Sequence, residues 1–145
     1  MKRALTAIIL VASTGLALAQ VTPVGVWQSI DDKTNEPKSQ IRISEAGGAL
    51  SGRIEKLLRK EAKQDAVCDE CTDDRKGKPL IGLEIIRGAK KAEGKDVWED
   101  GKILDPENGK SYALRLTPID GGKKLEVRGS VLGIGRTQTW VRVGQ

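Results

Sequence analysis

Phenylalanine and histidine are missing from the 145 residues, tyrosine occurs once and tryptophan three times. Without histidine the chain can build no Ser–His or Cys–His dyad and no ordinary zinc site. No glycine-rich phosphate loop joins a strand to a helix. These gaps leave no cofactor or metal to expect. With so few aromatics, the core must be made of Val, Ile and Leu. Clustered basic residues interleaved with aromatics are also lacking. The cations alternate with acids over Lys56 to Asp65 and Lys90 to Asp100, the pattern of a solvated face rather than of a nucleic-acid surface. The longest apolar run, Ala4 to Leu18, falls short of the roughly 20 residues of a membrane span, so the chain is not expected to cross a membrane.

That run has a different reading. Met1-Lys2-Arg3 precedes it and Ala17-Leu18-Ala19 follows it, the charged, apolar and small-x-small parts of a secretory signal. No cysteine follows, so no lipid anchor is suggested. Residues 1–19 are expected to be a cleaved signal peptide, residues 20–145 one domain, and the location the periplasm or outside the cell. Two of the cations behind the formal net charge of +5, Lys2 and Arg3, would leave with the signal.

The remainder reads as short alternating segments divided by turns, the all-β pattern. Strands are expected at Val24 to Ser29, Ser39 to Ile43, Ala49 to Leu57, Leu80 to Arg87, Val97 to Leu104, Ser111 to Thr117, Lys124 to Gly129 and Ile134 to Val143. Ile81, Leu83 and Ile85 share one face of the fourth. Tyr112, Leu114 and Leu116 point inward from the sixth, and Leu125 and Val127 from the seventh. Leu57 to Lys78 breaks the rhythm and leaves room for one short helix, about Glu55 to Gln64. About eight strands is the count at which an antiparallel sheet closes into a small barrel; a two-sheet sandwich is the alternative.

Three groups of residues could carry chemistry or binding. Cys68-Asp69-Glu70-Cys71 is a thiol–disulfide redox site, a small structural bridge or, as a remote third reading, a metal site of two thiolates with carboxylates. Asp65, Asp69, Glu70, Asp73 and Asp74 around the sulfurs disfavour a thiolate, which favours the bridge, set in an exposed loop. The acids Asp31, Asp32, Glu99, Asp100 and Asp105 sit at turns, where capping explains them, so no enzyme is expected. In the last strand, period two puts Arg136, Gln138, Trp140 and Arg142 on one face. If Trp140 points inward, Arg136 and Gln138 follow, and the interior acquires a polar end. The alternative keeps Trp140 at the rim, with Arg136 bonded to backbone carbonyls.

As an ordered set, the motifs resemble a family of secreted bacterial proteins known as domain of unknown function 2147. They are Gly25-Val26-Trp27, Cys68-Asp69-Glu70-Cys71, Lys78-Pro79-Leu80-Ile81-Gly82, Trp98 with Asp100 to Pro106, Asn108 to Tyr112, Leu125 to Gly129 and Gly135 to Trp140. The resemblance spans the chain after the signal and implies a lipocalin-like barrel. There Trp27 would plug one end, with Arg142 or Arg136 laid across it in a cation–π contact. By the same analogy the chain would bind a small hydrophobic or amphiphilic ligand. Leu50, Ile54, Tyr112, Leu114 and Val127 would line the pocket, with Arg136, Gln138 and Trp140 at its polar end. An anionic head would neutralise Arg136. The second expectation is a non-catalytic envelope interaction protein, its barrel filled by its own side chains and its loops holding a partner protein. A monomer is expected.

Export makes the first testable prediction. Protein recovered from the periplasm should begin at Gln20, within a residue or two; an intact mass that retains Met1 to Ala19 in that fraction would refute the signal.

Overall fold

Alternation of apolar and polar residues persuades eight segments of the chain into strands, and each pairs with the next. They are β1 (Gly25–Ile30), β2 (Pro37–Ala46), β3 (Ala49–Leu57), β4 (Glu84–Lys91), β5 (Trp98–Asp105), β6 (Lys110–Ile119), β7 (Lys124–Val131) and β8 (Ile134–Gly144). The computed structural model describes residues 21–145, so the expected signal peptide and Gln20 lie outside the described residues. Every neighbouring pair is antiparallel, and β8 returns to β1 to close the barrel. The sandwich alternative is thereby overturned. A 3-10 turn, Asp120–Gly122, is the one helical element among the described residues. The helix expected over Glu55 to Gln64 does not form. Glu55 to Leu57 finish β3, and turns follow. That stretch has good helix formers, but Lys56, Leu57 and Leu58 bond to β2 instead, and the few residues that remain are too short a helix to hold itself in water.

The fourth strand also differs from expectation. It starts at Glu84, and Leu80 to Leu83 form a turn in which Gly82 has positive φ and Ile81 lies 38 % exposed. Ile85 and Ile86 are both buried. Irregular pairing with β3 between Gly52 and Arg53 breaks simple alternation there.

One end of the barrel is shut. Trp27 on β1 is fully buried and lies opposite Arg142 of β8. The Arg142 guanidinium sits 4.2 Å from the centre of the indole ring. Its Nε donates to the Gly122 carbonyl (2.6 Å), Nη1 to Val24 (2.8 Å) and Nη2 to Thr22 (2.6 Å), while Trp27 Nε1 donates to Pro23 (2.7 Å). One side chain thus ties the N-terminal segment, the β6–β7 connection and the last strand together. Burial pushes the guanidinium below its ordinary pKa, but arginine stays cationic in proteins. Gly25 is required beside it: its φ is +139°, and a Cβ there would fall on the guanidinium and on the Gly144 carbonyl. Leu50, Ala89, Trp98, Leu114, Leu116 and Leu125 fill this half of the barrel.

The 26-residue connection from β3 to β4 crosses the other end. It is pinned along its length. Leu58 N donates to Lys38 O, Cys68 N to Lys78 O, Leu80 N to Ala66 O and Gly82 N to Ile54 O. Arg75 is buried, donates to the Glu84 carbonyl, and holds the Asp73 carboxyl down to about 2. Cys68 and Cys71 are bridged. Contrary to expectation the bridge is not exposed: both cysteines are buried in the core cluster. The reason lies in the β5–β6 turn. Gly109, at φ +71°, has no side chain, and the Glu70 carbonyl packs where its Cβ would be. The bridge is thereby pressed onto that turn.

Two predictions follow from these locks. Arg142→Ala removes a cation–π contact and three charge-assisted bonds, and should cost about 2–4 kcal/mol, read from the urea midpoint; Arg142→Lys should recover only part. The Cys68→Ala/Cys71→Ala pair should cost at least about 2 kcal/mol, the chain-entropy value for so short a loop, because the buried sulfur contacts are lost too. An unchanged midpoint with reductant would show that the bridge contributes nothing.

Candidate functional site

The shut end is plugged by Trp27 and Trp98, whereas three inward positions at the other end carry only small residues. At the open half, Ser29 and Ser39 face in from β1 and β2 and Gly129 from β7. Small side chains cannot meet across an eight-stranded barrel. A cavity of about 680 Å³ results. Its wall is Ile41, Ile54, Ile85, Ile103, Leu104, Val127 and Trp140, and Tyr112 and Gln138 add polar tips. The β3–β4 connection contributes Leu57, Ala62, Ala66 and Leu80 to its roof.

Of the expected pocket residues, Ile54, Tyr112, Val127, Arg136, Gln138 and Trp140 are brought together around this cavity. Leu50 and Leu114 are not. They are buried in the filled half, Leu50 next to the β2–β3 turn and Leu114 opposite Gly101. Alternation gives the face of the sheet but not the height along the barrel, and height is what separates these two from the cavity. Trp140 is buried and donates through Nε1 to Gln138 Oε1 (3.3 Å). Tyr112 Oη accepts from Asn108 Nδ2 (3.0 Å). Ser29 Oγ donates to the Ser39 carbonyl (3.4 Å). Among the described residues no buried side-chain nitrogen or oxygen lacks a partner.

Arg136 departs from the expectation of a charge inside the wall. It lies on the same face as Trp140 but higher, at the mouth, 69 % exposed, with Nε 3.5 Å from the Asp32 carboxylate. A hydrated guanidinium with a partner makes no demand for a ligand anion. Arg142, the other candidate for the Trp27 plug, occupies that place instead.

Sequence reasoning missed the rim. Lys38 pairs with Glu107 (3.0 Å), and Arg59 pairs with Glu107 (3.4 Å) and with Asp31. Asp31 also accepts from the Lys33 and Thr34 amides, which with Arg59 hold its carboxyl below the usual range. These pairs join the β1–β2, β3–β4 and β5–β6 connections over the mouth. The acids read from sequence as turn formers, and partners so far apart along the chain leave no local pattern. The β1–β8 ladder is also short. It runs Val26↔Gly144, Trp27↔Arg142 and Gln28↔Val141 and goes no farther. Above it, Arg136 pairs with Asp32 across the seam.

Outward positions of the strands carry charge, including Arg42, Arg53, Glu55, Arg87, Lys102 and Arg115. Among the described residues no helix is long and apolar enough to cross a membrane.

Among solved structures the chain is similar to one described as "Protein HP1028 from the human pathogen Helicobacter pylori belongs to the lipocalin family". The two share 20 % identity with a TM-score of 0.73, over 86 % of this chain and 84 % of that one. At that identity the likeness speaks to the fold, a lipocalin-like barrel. Among curated proteins none matches. The family model described as "Uncharacterized protein conserved in bacteria (DUF2147)" matches residues 25–142, from the glycine under the Arg142 guanidinium to Arg142 itself, and the chain belongs to that family.

Proposed function

We propose that the barrel binds a small hydrophobic or amphiphilic molecule, with its apolar part in the cavity and any anionic head at the rim. The observation that carries this reading is the cavity, about 680 Å³ behind a largely aliphatic wall, within the roughly 300–1,000 Å³ of small-molecule sites. Its buried polar atoms are already paired, so the interior favours an apolar occupant over a polar one. The same void counts against the filled-barrel alternative. A buried disulfide and the expected signal peptide support a location outside the cytoplasm.

Head-group recognition is modest in this reading. Arg136 is exposed and shares Asp32, so a carboxylate there gains at most about 1 kcal/mol, the range of surface ion pairs. The 1.5–3 kcal/mol of a bond to a buried charged group does not apply. Lys63 also lines the mouth and has no carboxylate within 4 Å among the described residues.

Titration with a long-chain fatty acid and with the alcohol of equal length tests the reading through tryptophan emission. Both should change it, because Trp140 lines the cavity whereas Trp27 and Trp98 do not. Trp140→Leu should remove the change. Val127→Trp, filling the void, should weaken both ligands about tenfold or more with the circular dichroism spectrum retained, the loss expected for a displaced apolar contact. Arg136→Ala should weaken only the acid, by about fivefold at most. Unaltered emission with both ligands, or full affinity in Val127→Trp, would sink the proposal.

A further inference from the structure

The tip of the β7–β8 hairpin holds three large apolar side chains in water. Leu132 is 97 % exposed, Ile134 83 % and Val131 52 %. Single exposed aliphatics are ordinary, but three adjoining ones on a projecting tip mark an interaction surface. The backbone adds a second sign. Val131 pairs with Ile134 across a two-residue turn whose central residues, Leu132 and Gly133, have φ of +53° and +79°. That is the type I′ pattern, for which Asn-Gly is the favoured pair. A bulky aliphatic residue at positive φ is strained. Stability therefore argues for Asn at this place, and the chain has Leu, pointing outward.

The tip is continuous with the cavity and flanked by cations. Val131 extends the inward row of Val127 and Gly129, and Ile134 extends that of Arg136, Gln138 and Trp140; Ile134 reaches the cavity mouth. Arg128 Nη2 donates to the Gly133 carbonyl and Nη1 to Thr137 Oγ1, each at 3.4 Å, so its charge lies at the turn itself. Among the described residues no carboxylate lies within 4 Å of it.

We infer that this hairpin docks the barrel, mouth first, on a lipid bilayer that carries anionic headgroups. Leu132, Val131 and Ile134 enter the boundary between headgroups and acyl chains, while Arg128 and Arg136 meet the phosphates. Apolar tip and basic flank are the two ingredients of reversible interfacial binding. The size of the patch points the same way. Three side chains on a convex turn offer far less than the roughly 800 Å² per partner of a stable protein interface, but a bilayer needs no complementary shape. Docking rests on the tip and not on the cavity's being occupied, though it would set the open end against a reservoir of amphiphiles.

Co-sedimentation of the mature protein with vesicles reads this directly. Binding should be seen with phosphatidylcholine–phosphatidylglycerol vesicles, be weaker with phosphatidylcholine alone, and fall as salt is raised. Leu132→Asn should lower it about tenfold or more while the melting temperature stays or rises, since Asn relieves the turn. Arg128→Gln and Arg136→Gln should each lower binding to the anionic vesicles about fivefold and leave the neutral ones unchanged. No binding to either vesicle, equal binding to both, or full binding by Leu132→Asn would overturn the inference. So would concentration-dependent self-association that Leu132→Asn abolishes, which would make a second copy the occupant. Fatty-acid titration of Leu132→Asn separates the two proposals, because cavity binding should be unchanged there.

Discussion

The contact between Arg142 and the Trp27 ring decides how the rest of the barrel is arranged. A sheet of eight strands closes only if the first and last find each other, and here the β1–β8 ladder is the shortest of the seams, three residue pairs long. Backbone bonds alone would hold it weakly. The guanidinium adds a cation–π contact and three carbonyl bonds at the place where the N-terminal segment, β8 and the β6–β7 connection converge. A buried cation is costly unless its donors are satisfied. With Nε, Nη1 and Nη2 all donating, that cost becomes a geometric requirement: the three segments must arrive together. At the other end of the same seam Arg136 and Asp32 face each other in solvent.

The open end is stabilised by different means. Its longest connection, the 26 residues from β3 to β4, is rich in charge, so aliphatic packing alone cannot fix it. The connections at this end are held by backbone bonds to neighbouring strands, by the rim ion pairs, and by a disulfide turned inward against the β5–β6 turn. Exposed ion pairs contribute little individually, whereas the buried bridge and Arg75 act where water is excluded. The roof over the cavity is therefore firmest around Cys68 to Glu84 and depends most on solvated contacts around Arg59 to Lys63. A ligand of appreciable size would displace the second part more readily than the first.

The strands were legible because alternation is a direct record of inside and outside. Ala49–Leu57 falls where the pattern puts it, and Tyr112, Leu114, Leu116, Leu125 and Val127 point where period two sends them. Lipocalin-like closure came from the motif set around Trp27 and the last strand. What eluded the sequence was height along the barrel axis and everything built from distant partners. Leu50 and Leu114 share a face with true cavity residues but stand at the filled level. Arg136 shares one with Trp140 but stands in solvent. Glu55 to Gln64 has helical residues and a partnership with the strands that propensity cannot register. The buried setting of Cys68 and Cys71 depended on a glycine some forty residues away in sequence, Gly109.

The cavity follows from the absences in the composition. A barrel of this strand number has an interior that side chains can just fill, and filling it takes bulk. This chain places two of its three tryptophans, Trp27 and Trp98, at the shut end. With no phenylalanine to call on, the open half has Trp140 and Tyr112 as its only aromatics and is otherwise left to Ile, Leu and Val, and at Ser29, Ser39 and Gly129 to less than that. Gly129 is confined by its neighbours: a Cβ there would come within 3.3 Å of Tyr112 Cβ. The ring of Tyr112 thus takes the space beside the strand and leaves the axis empty. An interior hollow at one level only, with Trp140 and Gln138 at the floor and cations at the lip, is asymmetric along its axis in the sense that suits an amphiphile: apolar below, charged above.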